Sequence, residues 1–80
     1  MLLRLNNAFD VENPRNYPPG AIEELRQLLV QGVSAHPDPK RPDFYDVELD
    51  DRVFFIHLLP SGSVILLATW QKRSVSLSAA

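Results

Sequence analysis

The run Val53-Phe54-Phe55-Ile56-His57-Leu58-Leu59 constrains the fold of this chain more than any other segment. It lies between two further extended runs, so that Phe44 to Gln71 reads as two β-hairpins in succession. A strand with one face in water alternates apolar and polar residues. This one does not alternate, so each face of its sheet needs a cover. In a chain of 80 residues the covers available are few. A domain of this size buries only roughly 60–65% of its unfolded surface, so a second subunit is one of the few extra sources of stability open to it.

The chain has no cysteine, which excludes disulfides and thiolate metal sites. Its apolar and charged fractions, 45% and 22%, are those of a folded chain rather than a disordered one. The net charge of −2 gives no general reason to expect nucleic acid. No apolar run approaches the roughly 20 residues that span a bilayer, and Met1 to Leu5 is too short for a signal peptide before Asn6 and Asn7 interrupt it. A cytoplasmic, bacterial-type protein is the expectation.

One domain over residues 1–80 divides into a strand and turn segment (1–17), a helix (18–33), a Pro-rich loop (34–43), a three-stranded meander (44–71) and a tail (72–80). In the first segment, Leu3 and Leu5 alternate with Leu2 and Arg4, which permits an edge strand. The helix has its regular part at about Pro19 to Gln31. Prolines suit a first turn, Glu23 and Glu24 lie early, where they favour the positive end of the dipole, and Gly32 occupies the position where a left-handed residue ends a helix. Ile22, Leu25, Leu28, Leu29 and Val33 make its single apolar stripe. Three prolines, Pro37, Pro39 and Pro42, argue against regular structure in the loop. The fold class expected is α+β, with one amphipathic helix packed on a three- to four-stranded antiparallel β-meander.

Turns at Asp50-Asp51 and Ser61-Gly62 set the register. They pair Val47 with Phe54, Tyr45 with Ile56, Leu58 with Ile65 and Ile56 with Leu67. Paired residues share a face. One face then holds Tyr45, Val47, Leu49, Phe54, Ile56, Leu58, Ile65 and Leu67, with Thr69, and receives the helix. The other holds Phe44, Asp46 and Glu48 with Val53, Phe55, His57, Leu59, Val64, Leu66, Ala68 and Trp70. Its apolar half amounts to several hundred square ångströms, a size at which an exposed patch marks an interaction site. Either the chain's own ends, Met1 to Phe9 and Val75 to Ala80, fold over it, or a second copy docks there about a two-fold axis. The dimer is the expectation, with an interface of Val53, Phe55, His57, Leu66, Ala68 and Trp70, and another protein is a further possible partner.

Chemistry-bearing patterns are sparse. His36 and His57 lie near several carboxylates in sequence, but no recognised metal-ligand spacing occurs, and no metal or cofactor is expected. No Gly-x-Ser-x-Gly elbow and no phosphate-cradling glycine loop is present. A small ligand or enzyme site could form at the Pro-rich loop from His36, Asp38, Lys40, Arg41 and Tyr45. Lys40-Arg41 and Lys72-Arg73, with Arg52, could converge at one sheet end. A strand, a helix and a meander ending in basic residues resembles the element order of RelE-type ribonuclease toxins, and the resemblance implies action on RNA. Those toxins are strongly basic and carry two helices before the meander, whereas this chain is acidic with one clear helix and no matching set of cleavage residues. The leading reading is a non-enzymatic interaction module; a RelE-like protein and a ligand-binding domain stand as alternatives.

Overall fold

A computed structural model describes residues 1–6 and 8–72. The fold is α+β, with one helix and a six-stranded mixed sheet. Its elements are β1 (Leu2–Leu3), β2 (Val11–Glu12), α1 (Pro19–Gln31), β3 (Val33–Pro37), β4 (Phe44–Glu48), β5 (Arg52–Leu58) and β6 (Val64–Gln71). The strand order is β1-β3-β4-β5-β6-β2. All neighbours are antiparallel except β2 and β6, which run parallel. The sheet is therefore larger than a three- to four-stranded meander, and mixed.

The additional long strand is β3, in the segment expected to be a Pro-rich loop. Val33-Ser34-Ala35-His36-Pro37 alternates, and Ala35 is fully buried opposite Val47. Pro37 is the last residue of the strand, where its missing N–H interrupts no ladder. The rest of the segment is a turn. The Asp38 carboxylate accepts the Lys40 and Arg41 N–H groups at 2.8 and 3.2 Å, and Asp43 takes a left-handed φ of 68°. Three prolines thus stiffen a hairpin connection without abolishing its strand.

Helix α1 spans the expected regular part, Pro19–Gln31, but Val33, expected on its apolar stripe, is instead the first residue of β3. Gly32 follows it with φ 97°, and its N–H donates to Leu28 O at 2.9 Å. Glu23 and Glu24 fall beyond the first turn, so they do not cap the dipole as expected. Glu24 instead accepts Arg52 Nη1 at 2.6 Å, tying the helix to the start of β5. Leu25 and Leu29 are fully buried against Val47, Phe54 and Ile56, and Ile22, Leu28 and Val33 pack around them. Burying Leu25 and Leu29 contributes roughly 1.5–3 kcal/mol each.

The β4–β5 register is the expected one, with Tyr45 opposite Ile56 and Val47 opposite Phe54. The β5–β6 register changes part-way. Arg52 to Phe55 pair with Gln71 to Ala68, whereas Ile56, His57 and Leu58 pair with Leu66, Ile65 and Val64. Leu67 is thus an extra residue, a β-bulge. It exchanges the faces of the residues before it. Val64 and Leu66 enter the core, both fully buried, and Ile65 moves to the other face opposite His57. The expected pairs Leu58–Ile65 and Ile56–Leu67 do not form, because one inserted residue reverses side-chain sense along a strand.

Candidate interaction surface

The helix packs on the sheet face carried by Val47, Phe54 and Ile56. The N-terminal segment joins it there. Leu3 and Phe9 are buried in the same core, Leu5 N–H donates to Leu29 O at 2.8 Å, and Arg26 lies over the Phe9 ring while donating to Phe9 O at 2.7 Å. Met1 to Phe9 therefore does not cover the second face, because Leu3 and Phe9 find the helix and the core instead. The other proposed cover, Val75 to Ala80, lies outside the described residues.

Among the described residues, the second face has no helix or loop packed against its centre. Row by row it holds His36, Asp46, Phe55 and Ala68; then Phe44, His57 and Ile65; then Glu48, Val53 and Trp70. Leu66, expected here, sits in the core through the bulge. The Phe44 and His57 rings stack at 4.0 Å with 9° between their planes, and Phe55 lies 5.8 Å from Phe44 at 33°. These three rings are half-buried, and Trp70, the largest side chain on the face, is 49% exposed. His57 is thus a ring in an apolar cluster, which agrees with a packing role.

Polar side chains frame this surface. Lys72 Nζ reaches Glu48 Oε2 at 2.8 Å and donates to Leu49 O at 3.3 Å. Glu48 is on β4 and Lys72 follows β6, so the ion pair crosses β5 at Val53, which is only 7% exposed. The Lys72 ammonium, by hydrogen bond and by charge, holds the Glu48 carboxyl below its ordinary value, and the charge of His36 lowers it further. His36 Nε2 lies 3.8 Å from Glu48 Oε1. At the opposite end, the Arg41 guanidinium sits 5.7 Å from the Phe44 ring centre.

The residues expected to line a loop pocket do not converge. His36 is on the second face, Tyr45 packs towards the core on the first, and Asp38 is used by its own turn. Nor do the basic residues meet. Lys40 and Arg41 are in the turn before β4, Lys72 pairs with Glu48 at the far end of that strand, and Arg52 faces the helix. Arg73 lies outside the described residues. Among the described residues no three His, Asp or Glu side chains gather as metal ligands. An open cleft of about 440 Å³ is lined by Arg4, Leu5, Asn6 and Val30, well away from these groups. No helix among the described residues is long and apolar enough to cross a membrane.

No family model, curated protein or solved structure matches this chain.

One feature of the surface was not legible in the sequence. The bulge at Leu67 has no glycine or proline to mark it, and its only signal is the unbroken apolar run Val64 to Ala68, which fits either register.

Proposed function

We propose that this protein is a non-enzymatic interaction module that self-associates through the second face of its sheet, with Trp70 as the anchor. The observation that carries this reading is that α1 and the N-terminal segment both pack on the first face, leaving Phe44, Phe55, His57, Ala68 and Trp70 on the second. A half-exposed aromatic surface of this kind suits an interface core, since the few residues that dominate the energy of protein contacts are enriched in Trp, Tyr and Arg. The Lys72–Glu48 ion pair, with the His36 imidazole beside it, forms a polar rim. A second copy is the partner with the fewest requirements, because the closed two-fold dimer is the commonest assembly of a small chain. Multi-angle light scattering at micromolar concentration tests the reading. The expected mass is twice 9.1 kDa, and Trp70→Asp reduces it to that of one chain. A wild-type mass of 9.1 kDa contradicts it.

A further inference from the structure

The edges of the sheet differ in a way that points to where two copies meet. Most edges here are blunted. Strand β1 is two residues long and followed by Arg4, β2 is two residues long and followed one residue later by Pro14, and β3 ends at Pro37. Strand β6 is the exception. It is eight residues long, and β2 covers only Val64 and Ile65. Among the described residues the outer edge from Leu66 to Gln71 has no strand beside it. That stretch, Leu-Leu-Ala-Thr-Trp-Gln, contains no charge, no proline and no glycine.

The hydrogen-bond phase says which backbone groups face outward. Lys72 N–H donates to Asp51 O at 2.9 Å, and Leu59 N–H donates to Ser63 O at 2.8 Å. Antiparallel pairs alternate between bonded and non-bonded. Stepping back from Lys72, Trp70 and Ala68 direct their N–H and C=O groups at β5, and Thr69 and Gln71 direct theirs away. Val64 N–H, which donates outward to Asp10 O at 3.0 Å, fits the phase set by Ser63 on its side of the bulge. A polar backbone row of this kind is satisfied by water or by another strand.

We infer that two copies pair antiparallel along this edge, β6 against β6 of the second copy, about a two-fold axis at Trp70. This rests on the self-association proposed above and narrows its contact to the β6 edge, where Trp70 meets its mate while Phe55 and His57 on β5 lie one strand back. In this register Thr69 of each copy is opposite Gln71 of the other, and the four outward groups of each chain find partners. The bulged Leu67 is not needed. No charge faces its own copy, since Lys72 falls opposite Ala68. Trp70 meets its own mate as a non-bonded pair, the kind in which Cα atoms approach to about 4.5 Å. The most exposed aromatic of the second face is thereby covered, and the two faces join side by side into one sheet. A foreign strand could satisfy the backbone, but an identical one also supplies the tryptophan.

Three comparisons test the arrangement. In Gln71→Pro an outward N–H is removed from an exposed position, a site where a strand tolerates proline. The expected result is an unchanged far-ultraviolet circular dichroism spectrum with the mass falling to one chain. Phe55→Asp, set back from the axis by one strand, keeps the dimer. The chain has no cysteine, so mixing Thr69→Cys with Gln71→Cys sets one thiol opposite the other across the β6 contact, at a spacing within the disulfide range and with Trp70 kept. Air oxidation is expected to give a covalent dimer faster than Leu2→Cys on the far edge. A dimer that survives Gln71→Pro and is lost in Phe55→Asp shows face-on stacking, which overturns this register and keeps the self-association. Cross-linking of the Thr69→Cys and Gln71→Cys mixture no faster than that of Leu2→Cys also overturns it, even if the proline variant fails to fold. A wild-type monomer overturns both.

Discussion

Glu48 and Lys72 show how two side chains can cover one residue, Val53, on a face that is otherwise open. Their contact crosses β5 and leaves Val53 nearly inaccessible. Because Lys72 holds the Glu48 carboxyl below its ordinary value of 4.5, the charged pair favours the folded state above that pH. The contribution is lost as pH falls through the lowered folded-state value. Wild type is therefore expected to exceed Glu48→Gln in urea stability at pH 7, with the difference closing towards pH 3. An equal gap at both pH values would show that the ion pair contributes nothing through charge. Gly32 carries a separate constraint. At φ 97° a side chain is strained, and a Cβ there would lie 3.4 Å from Leu2 Cδ1. Gly32→Ala is expected to cost roughly 1–2 kcal/mol in denaturant unfolding, the order of a left-handed L-residue.

At the scale of elements, the span of the helix was legible, though Val33 belongs to β3 and Glu23 and Glu24 lie beyond the first turn. Its stripe, its early prolines and Gly32 each specify the same span, and local signals of that kind need no tertiary context. The β4–β5 hairpin was legible for a related reason, since the Asp50-Asp51 turn fixes register within a few residues. Strand β3 was not. Its prolines suggested an open loop, but Ala35 buries itself against Val47 and outweighs them once β4 is in place. The bulge was hidden because Val64 to Ala68 is apolar in every position, so either set of side chains could fill the core. The pairing of Val53 with Trp70 and of Phe55 with Ala68 agrees with the sequence because these residues lie beyond the bulge. Deleting Leu67 is expected to give a continuous ladder with Val64 and Leu66 still inside, checked by amide hydrogen exchange across β5 and β6. Loss of protection at Leu66 would show that the bulge sets the faces rather than accommodates them.

For the whole molecule, the unalternating β5 strand has two different explanations on its two sides. Phe54 and Ile56 belong to the core beneath α1, and the helix is the cover that the sequence implied. Val53 lies beneath the Glu48–Lys72 pair, and Phe55 and His57 face a surface that the N-terminal segment leaves open, because Phe9 and Leu3 are drawn to the helix side. Among the described residues one helix closes only the first face, and the proposed association at the β6 edge would cover Trp70 on the second. Trp70 is the only tryptophan in the chain and stands on that face, which makes its fluorescence a direct report of the face's environment. The emission of the wild-type protein, followed from nanomolar to high micromolar concentration, is predicted to shift to the blue along a single association curve. Emission of a water-exposed indole, unchanged across the whole range, would contradict the account.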